Sequence, residues 1–163
     1  MEPVSISIGE KSIPAWLHLP VGYSGGRIPA VVAIPGMDSF KEASVALYGD
    51  SLLSRGFAVL AMDGPGQYES PLLGVYMTMK NWEDTGKACM DWLQSRKEID
   101  PERVAMTGRS FGSFRRYYRG VERAALSGDR CQRDMFRAGI PYDLSGGLAN
   151  IQNAVHVHGE HTR

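Results

Sequence analysis

The chain has 163 residues and a mass of 17.9 kDa, enough for one domain with one sizeable core. Eighteen Lys and Arg balance eighteen Asp and Glu, which excludes a strongly basic nucleic-acid binder on bulk charge. Cys89 and Cys131, the two cysteines, exclude a disulfide framework and lack zinc-ligand spacing, and no apolar run reaches the roughly 18 residues of a membrane span.

The first residues, MEPVSISIGEKS, lack the basic and apolar regions of a signal peptide. The expectation is therefore a cytoplasmic domain with neither nucleic acid nor membrane as partner. Charge is unevenly spread. Residues 1–113 carry 10 basic and 13 acidic side chains, net −3, whereas residues 114–163 carry 8 and 5, net +3. Seven arginines fall between Arg115 and Arg137, so the composition shifts just after Gly112.

Val4, Ile6 and Ile8 alternate with Ser5 and Ser7, the period of a half-buried strand. Ile13, Ala15, Leu17 and Leu19 repeat the pattern, with Trp16 and His18 on the other face and a hairpin turn at Gly9-Glu10-Lys11. This pair predicts an antiparallel edge. After a turn-rich connector from Pro20 to Pro29, Ala30-Val31-Val32-Ala33-Ile34 runs without alternation, as in a strand buried on both faces. Asp38 to Arg55 reads as a helix stopped by Gly56. Ser39 and Glu42 have capping-box spacing, and Phe40, Ala43 and Leu47 share one face.

Phe57 to Met62 is a second continuous apolar run, ending at Asp63-Gly64-Pro65-Gly66. A loop runs to about Lys80. Trp82, Ala88, Cys89, Trp92 and Leu93 then mark a helix over 81–96, which Asp100-Pro101 breaks. Val104 to Thr107 is a third short strand, ending in Gly108. This alternation of strand and helix predicts an α/β fold with a mostly parallel sheet. Beyond Gly112, Phe114, Tyr117, Tyr118, Val121 and Ala125 form a candidate helical stripe, and 154–158 a candidate short strand.

Gly108-Arg109-Ser110-Phe111-Gly112 follows the third strand and matches G-x-S-x-G. That pattern presents a serine hydroxyl on a tight strand-to-helix turn, with small flanking residues that allow the turn. The N–H of the residue after the serine lies at a helix N-terminus, where partial positive charge favours an oxyanion. An ordinary Gly-rich turn is the alternative.

With the elbow and its preceding strands, the chain resembles the α/β-hydrolase superfamily over about residues 4–114. Ile34-Pro35-Gly36-Met37-Asp38-Ser39 is similar to the loop after that family's third strand, Asp63-Gly64-Pro65-Gly66-Gln67 to a segment of the branch containing dihydropseudooxynicotine hydrolase and related esterases, and Ile99 to Val104 to the stretch entering the elbow strand. The resemblance implies a serine hydrolase without cofactor or metal. Its substrate would be a small carbonyl compound, an ester or a C–C bond beside a carbonyl. Ser110 is the implied nucleophile, and the N–H groups of Met37 and Phe111 the implied oxyanion donors.

The family completes its site with an acid and then a histidine. Only 53 residues follow Ser110. Val155 to Arg163 is similar to the family's strand-plus-acid segment, but Thr162 stands at the acid position. Two readings follow. One is a single hydrolase-like domain over 1–163, truncated or rearranged after the elbow: 1–114 is a recognisable core, 115–163 an atypical Arg-rich tail, and the C-terminal half of the sheet is incomplete. Self-association through uncovered apolar sheet is then expected. The other is a compact variant in which His156, His158 or His161 serves as base, His158 first among them, with Glu160 as orienting acid. From a different class, the chain is a non-catalytic fragment or binding module.

Other patterns are weaker. His156, His158, Glu160 and His161 resemble a metallo-β-lactamase zinc cluster without its remaining ligands. Gly64-Pro65-Gly66 lacks the third glycine of a dinucleotide loop and reads as a turn. The Arg-rich stretch with Tyr117, Tyr118 and Phe136 is interrupted by acids and reads as a solvated face rather than an RNA contact. Asp63, at a strand end where open α/β sheets place ligands, is either functional or a turn cap, Glu69 a candidate for facing the pocket, and His18 structural.

Overall fold

A computed structural model describes residues 1–108 and 110–113. Five strands form one sheet in the order β1-β2-β4-β3-β5: β1 (Glu2–Ile8), β2 (Lys11–His18), β3 (Ile28–Ile34), β4 (Ala58–Met62) and β5 (Ile99–Gly108). The hairpin β1–β2 is antiparallel, and β2 pairs antiparallel with β4. β3 lies parallel between β4 and β5. The sheet is thus parallel at its centre with an antiparallel N-terminal edge, as the alternating and continuous apolar runs predict.

Burial explains the difference between those runs. β2 buries every second residue, Ile13, Ala15 and Leu17, because one of its faces carries the core. β4 is buried throughout and β3 from Pro29 onward, because each has packed layers on both sides. Val32, Ile34, Leu60 and Met62 point to one face, with Ile6, Trp82, Met90 and Leu93. Val31, Ala33, Val59 and Ala61 point to the other, with Leu52 and Phe57.

Two helical layers cover these faces. α3 (Met79–Ser95) packs its Trp82, Cys89, Met90 and Leu93 on the first face, and the Thr78 hydroxyl caps it by accepting from the Asn81 N–H at 3.0 Å. On the second face, residues 41–53 form one helical run: α1 (Lys41–Ser44), a π-helical turn (Val45–Gly49) and α2 (Asp50–Leu53).

Two local expectations are overturned. The first helix starts at Lys41, not Asp38, and its cap residue, Phe40, makes no side-chain cap bond. The expected capping box is absent because its parts are used elsewhere: Glu42 Oε1 accepts from Trp16 Nε1 at 2.9 Å, and Asp63 accepts the Lys41 N–H. Phe40 and Leu47 are exposed, while Lys41, Ser44 and Leu52 turn inward. Secondly, Asp100-Pro101 breaks no helix. α3 ends at Ser95, where Arg96 turns extended, and Pro101 falls inside β5. There Ile99 pairs with Ile28 and Val104 with Ala30, so the extra residues of β5 bulge out of the ladder and spare Pro101 a donor's role.

Candidate active site

β3, β4 and β5 are parallel, so their C-terminal ends share one edge of the sheet. Three loops leave that edge: 35–40 after β3, 63–78 after β4, and the turn after β5. Gly108 pairs with Ile34, which brings the first and third loops together.

Ser110 opens a 3-10 turn (Ser110–Ser113) directly after β5. Its φ is +52°, a left-handed conformation that costs a non-glycine residue of order 1–3 kcal/mol. Its side chain is exposed. The chain thus turns tightly after the strand, with Ser110 left-handed and exposed. Gly112 shows why the turn needs small residues: a Cβ there would stand 2.7 Å from the Pro35 carbonyl oxygen and 2.8 Å from that of Ile34. The backbone of the elbow rests on the start of the β3 loop. Phe111 is half-buried, its ring edge-on to Trp82 at 5.8 Å between centroids. Met37, the other expected oxyanion donor, lies in the loop after β3 and is 42% exposed.

The loop after β4 supplies groups that the sequence reading passed over. Gln67 is fully buried. Its Nε2 donates to the carbonyls of Pro35 at 3.0 Å and Gly36 at 2.8 Å, and its Oε1 accepts from the Gly64 N–H at 2.9 Å. Trp82 closes against Gly64, where a Cβ would come within 2.1 Å of the indole. Gly66, at φ +81°, lets the loop turn back beneath Met77, as the turn reading expects.

Asp63 is fully buried and accepts from the Lys41 N–H at 2.7 Å and from Lys41 Nζ at 2.9 Å. Lys41 Nζ also reaches Glu69 at 2.9 Å and Glu42 at 3.2 Å. Burial works against the lysine's charge, but bonds to Asp63 and Glu69 outweigh it and hold the ammonium protonated, its pKa raised. Burial likewise lifts the Asp63 carboxyl above the ordinary carboxylate range, against the pull of Lys41. Asp63 is thus a cap, as one of its two readings had it, but for the helix at Lys41 rather than for its own turn. Glu69 turns to Lys41. The apolar spacing gave no sign of Lys41, and the only signal for Gln67 was the resemblance of the segment 63–67.

His18 is half-buried on β2, and burial lowers its pKa, consistent with a structural place. His156, His158, Glu160, His161 and Thr162, the Arg-rich stripe and Cys131 lie outside the described residues. No described helix is long and apolar enough to cross a membrane.

A parallel sheet with an antiparallel edge, a strained serine after its fifth strand, and a loop after the third strand touching that turn define a member of the α/β-hydrolase superfamily. Within it, the family model of the X-Pro dipeptidyl-peptidase (S15 family) matches residues 11–119, and the chain belongs to that family. It is 31% identical over 108 residues to the 20-hydroxy-prefusarin hydrolase of Gibberella moniliformis, a match covering 63% of this chain and 26% of that protein. It is similar to the crystal structure of 2,6-dihydroxy-pseudo-oxynicotine hydrolase, with a TM-score of 0.60 and 27% identity, over 69% of this chain and 30% of that one. Est1E of Butyrivibrio proteoclasticus, seen with ferulic acid bound, shares the fold at 21% identity and a TM-score of 0.60, over 75% of this chain and 46% of that one. The chain therefore spans about a quarter of the curated relative and less than half of either structure.

Proposed function

We propose that the chain is a serine hydrolase that acts on an ester, or on a C–C bond next to a carbonyl, through an acyl-enzyme on Ser110. The hydroxyl oxygen attacks the carbonyl carbon as a base takes its proton. The resulting oxyanion is held by the Met37 and Phe111 N–H groups, the C–O or C–C bond breaks as the leaving group takes that proton, and water then releases the acid. A serine hydroxyl needs an adjacent base, and His158, oriented by Glu160, is the proposed pair.

The observation that carries this reading is the backbone of Ser110: left-handed, exposed, and seated through Gly112 on the loop that bears Met37. Such strain persists only where the surroundings impose it. The hydrolase names of relatives such as the 20-hydroxy-prefusarin hydrolase agree with it.

A fluorophosphonate probe with peptide mapping provides the test. Folded wild type should be labelled at Ser110 and turn over a p-nitrophenyl ester, and Ser110→Ala should lose both. A folded wild type left unlabelled would overturn the proposal and favour the non-catalytic binding module.

A further inference from the structure

The geometry points to Gln67 as a positioning residue that aims the Met37 N–H into the oxyanion site; the inference rests on the serine-hydrolase reading above. Gln67 Nε2 binds the carbonyls of two consecutive residues, Pro35 and Gly36. In a trans peptide the C=O and the following N–H point in opposite directions, and the described chain has no cis peptide. Fixing the Gly36 oxygen on Gln67 therefore turns the Met37 N–H away from Gln67. The Ser39 N–H holds the same Gly36 oxygen from within the loop at 3.1 Å.

The Pro35 oxygen that Gln67 holds is also the atom on which Gly112 rests. One amide thus sets the loop that carries one proposed donor and the seat of the turn that carries the nucleophile and the other donor. Gln67 is itself fixed from behind, because its oxygen accepts the Gly64 N–H and Gly64 is wedged against Trp82. A buried glutamine with every bond spent on backbone is built to hold a shape, and an oxyanion site depends on donors placed before the charge develops.

Labelling rates test this. Gln67→Met keeps the length and removes both donors; Gln67→Glu, which keeps the acceptor for Gly64, is the second variant should the methionine form not fold. Ser70→Ala is the control, since it deletes a buried bond in the same loop, Ser70 Oγ to the Asp63 carbonyl at 2.7 Å, without touching residues 35–37. The second-order rate of fluorophosphonate labelling at Ser110 is measured well below each protein's melting midpoint. The expected result is a rate about tenfold or more below wild type for the Gln67 variant, against an unchanged rate and a lowered midpoint for Ser70→Ala. The inference is overturned if the Gln67 variant and Ser70→Ala label alike. In that case the serine-hydrolase reading still stands; an unlabelled wild type would instead remove that reading, and this inference with it.

Discussion

Replacing Lys41 by methionine probes the charge network beneath the site. The substitution keeps the aliphatic stem and removes the ammonium 2.9 Å from Asp63 Oδ2. Asp63 is 0% exposed, so water does not replace the lost partner, and one backbone N–H remains on the other oxygen. Removing one member of a buried ion pair costs about 3–5 kcal/mol, a large share of the roughly 5–15 kcal/mol that stabilises a domain. The expected loss at pH 7 is in that range. Its pH dependence has a definite sign. Burial already raises the Asp63 pKa, and loss of Lys41 raises it further. A carboxyl with a raised folded pKa favours the folded state below its unfolded pKa, and that contribution is lost as pH rises through the folded value. The deficit of Lys41→Met should therefore be largest at neutral pH and shrink as the medium approaches about pH 4. Urea unfolding at pH 7 and pH 4.5, with Asp63→Asn and the double variant completing a cycle, measures it. The double variant should recover most of the loss, and it is expected to fold even if Lys41→Met does not. A loss below about 1 kcal/mol for Lys41→Met, or a double variant no more stable than the sum of the single losses, would refute the coupling.

Two other expectations follow from packing. Gly112→Ala should destabilise the fold by about 1–3 kcal/mol and slow labelling of Ser110, because its Cβ would meet two backbone oxygens that cannot rotate away; thermal melts and the fluorophosphonate assay both report it, and wild-type values in both would contradict the packing. Cys89 is fully buried beside Met62, its thiol pushed up to about 12 by burial. In a Cys131→Ser background at pH 8, Ellman's reagent should therefore react only after urea is added, and rapid stoichiometric reaction in the native protein would show that α3 opens readily.

Strand and helix order was legible in the sequence because each signal is short-range. Continuous apolar runs at 30–34 and 57–62 and alternation at 4–8 and 13–19 report which faces are covered, and they match the central and edge strands found. The elbow was legible for the same reason: five consecutive residues after a strand specify its turn, and Ser110 takes the left-handed backbone that the pattern demands.

What surrounds the elbow was decided by contacts across the chain. Gln67 meets Pro35 and Gly36 from 32 and 31 residues away, and Asp63 meets Lys41 from 22. A buried lysine in a run of helical spacing looks like any solvated lysine until the strand carrying its carboxylate is laid beside it. The capping box failed on the same account. Ser39 and Glu42 have the right spacing, but Asp63 supplies the helix with its acceptor and Trp16 takes the glutamate oxygen. Local sequence thus set the elements and the strained turn, whose energies are local. Tertiary structure decided which side chains cap, pair and aim the backbone around that turn, because a hydrogen-bond partner is chosen by proximity in space and the sheet alone brings these loops together.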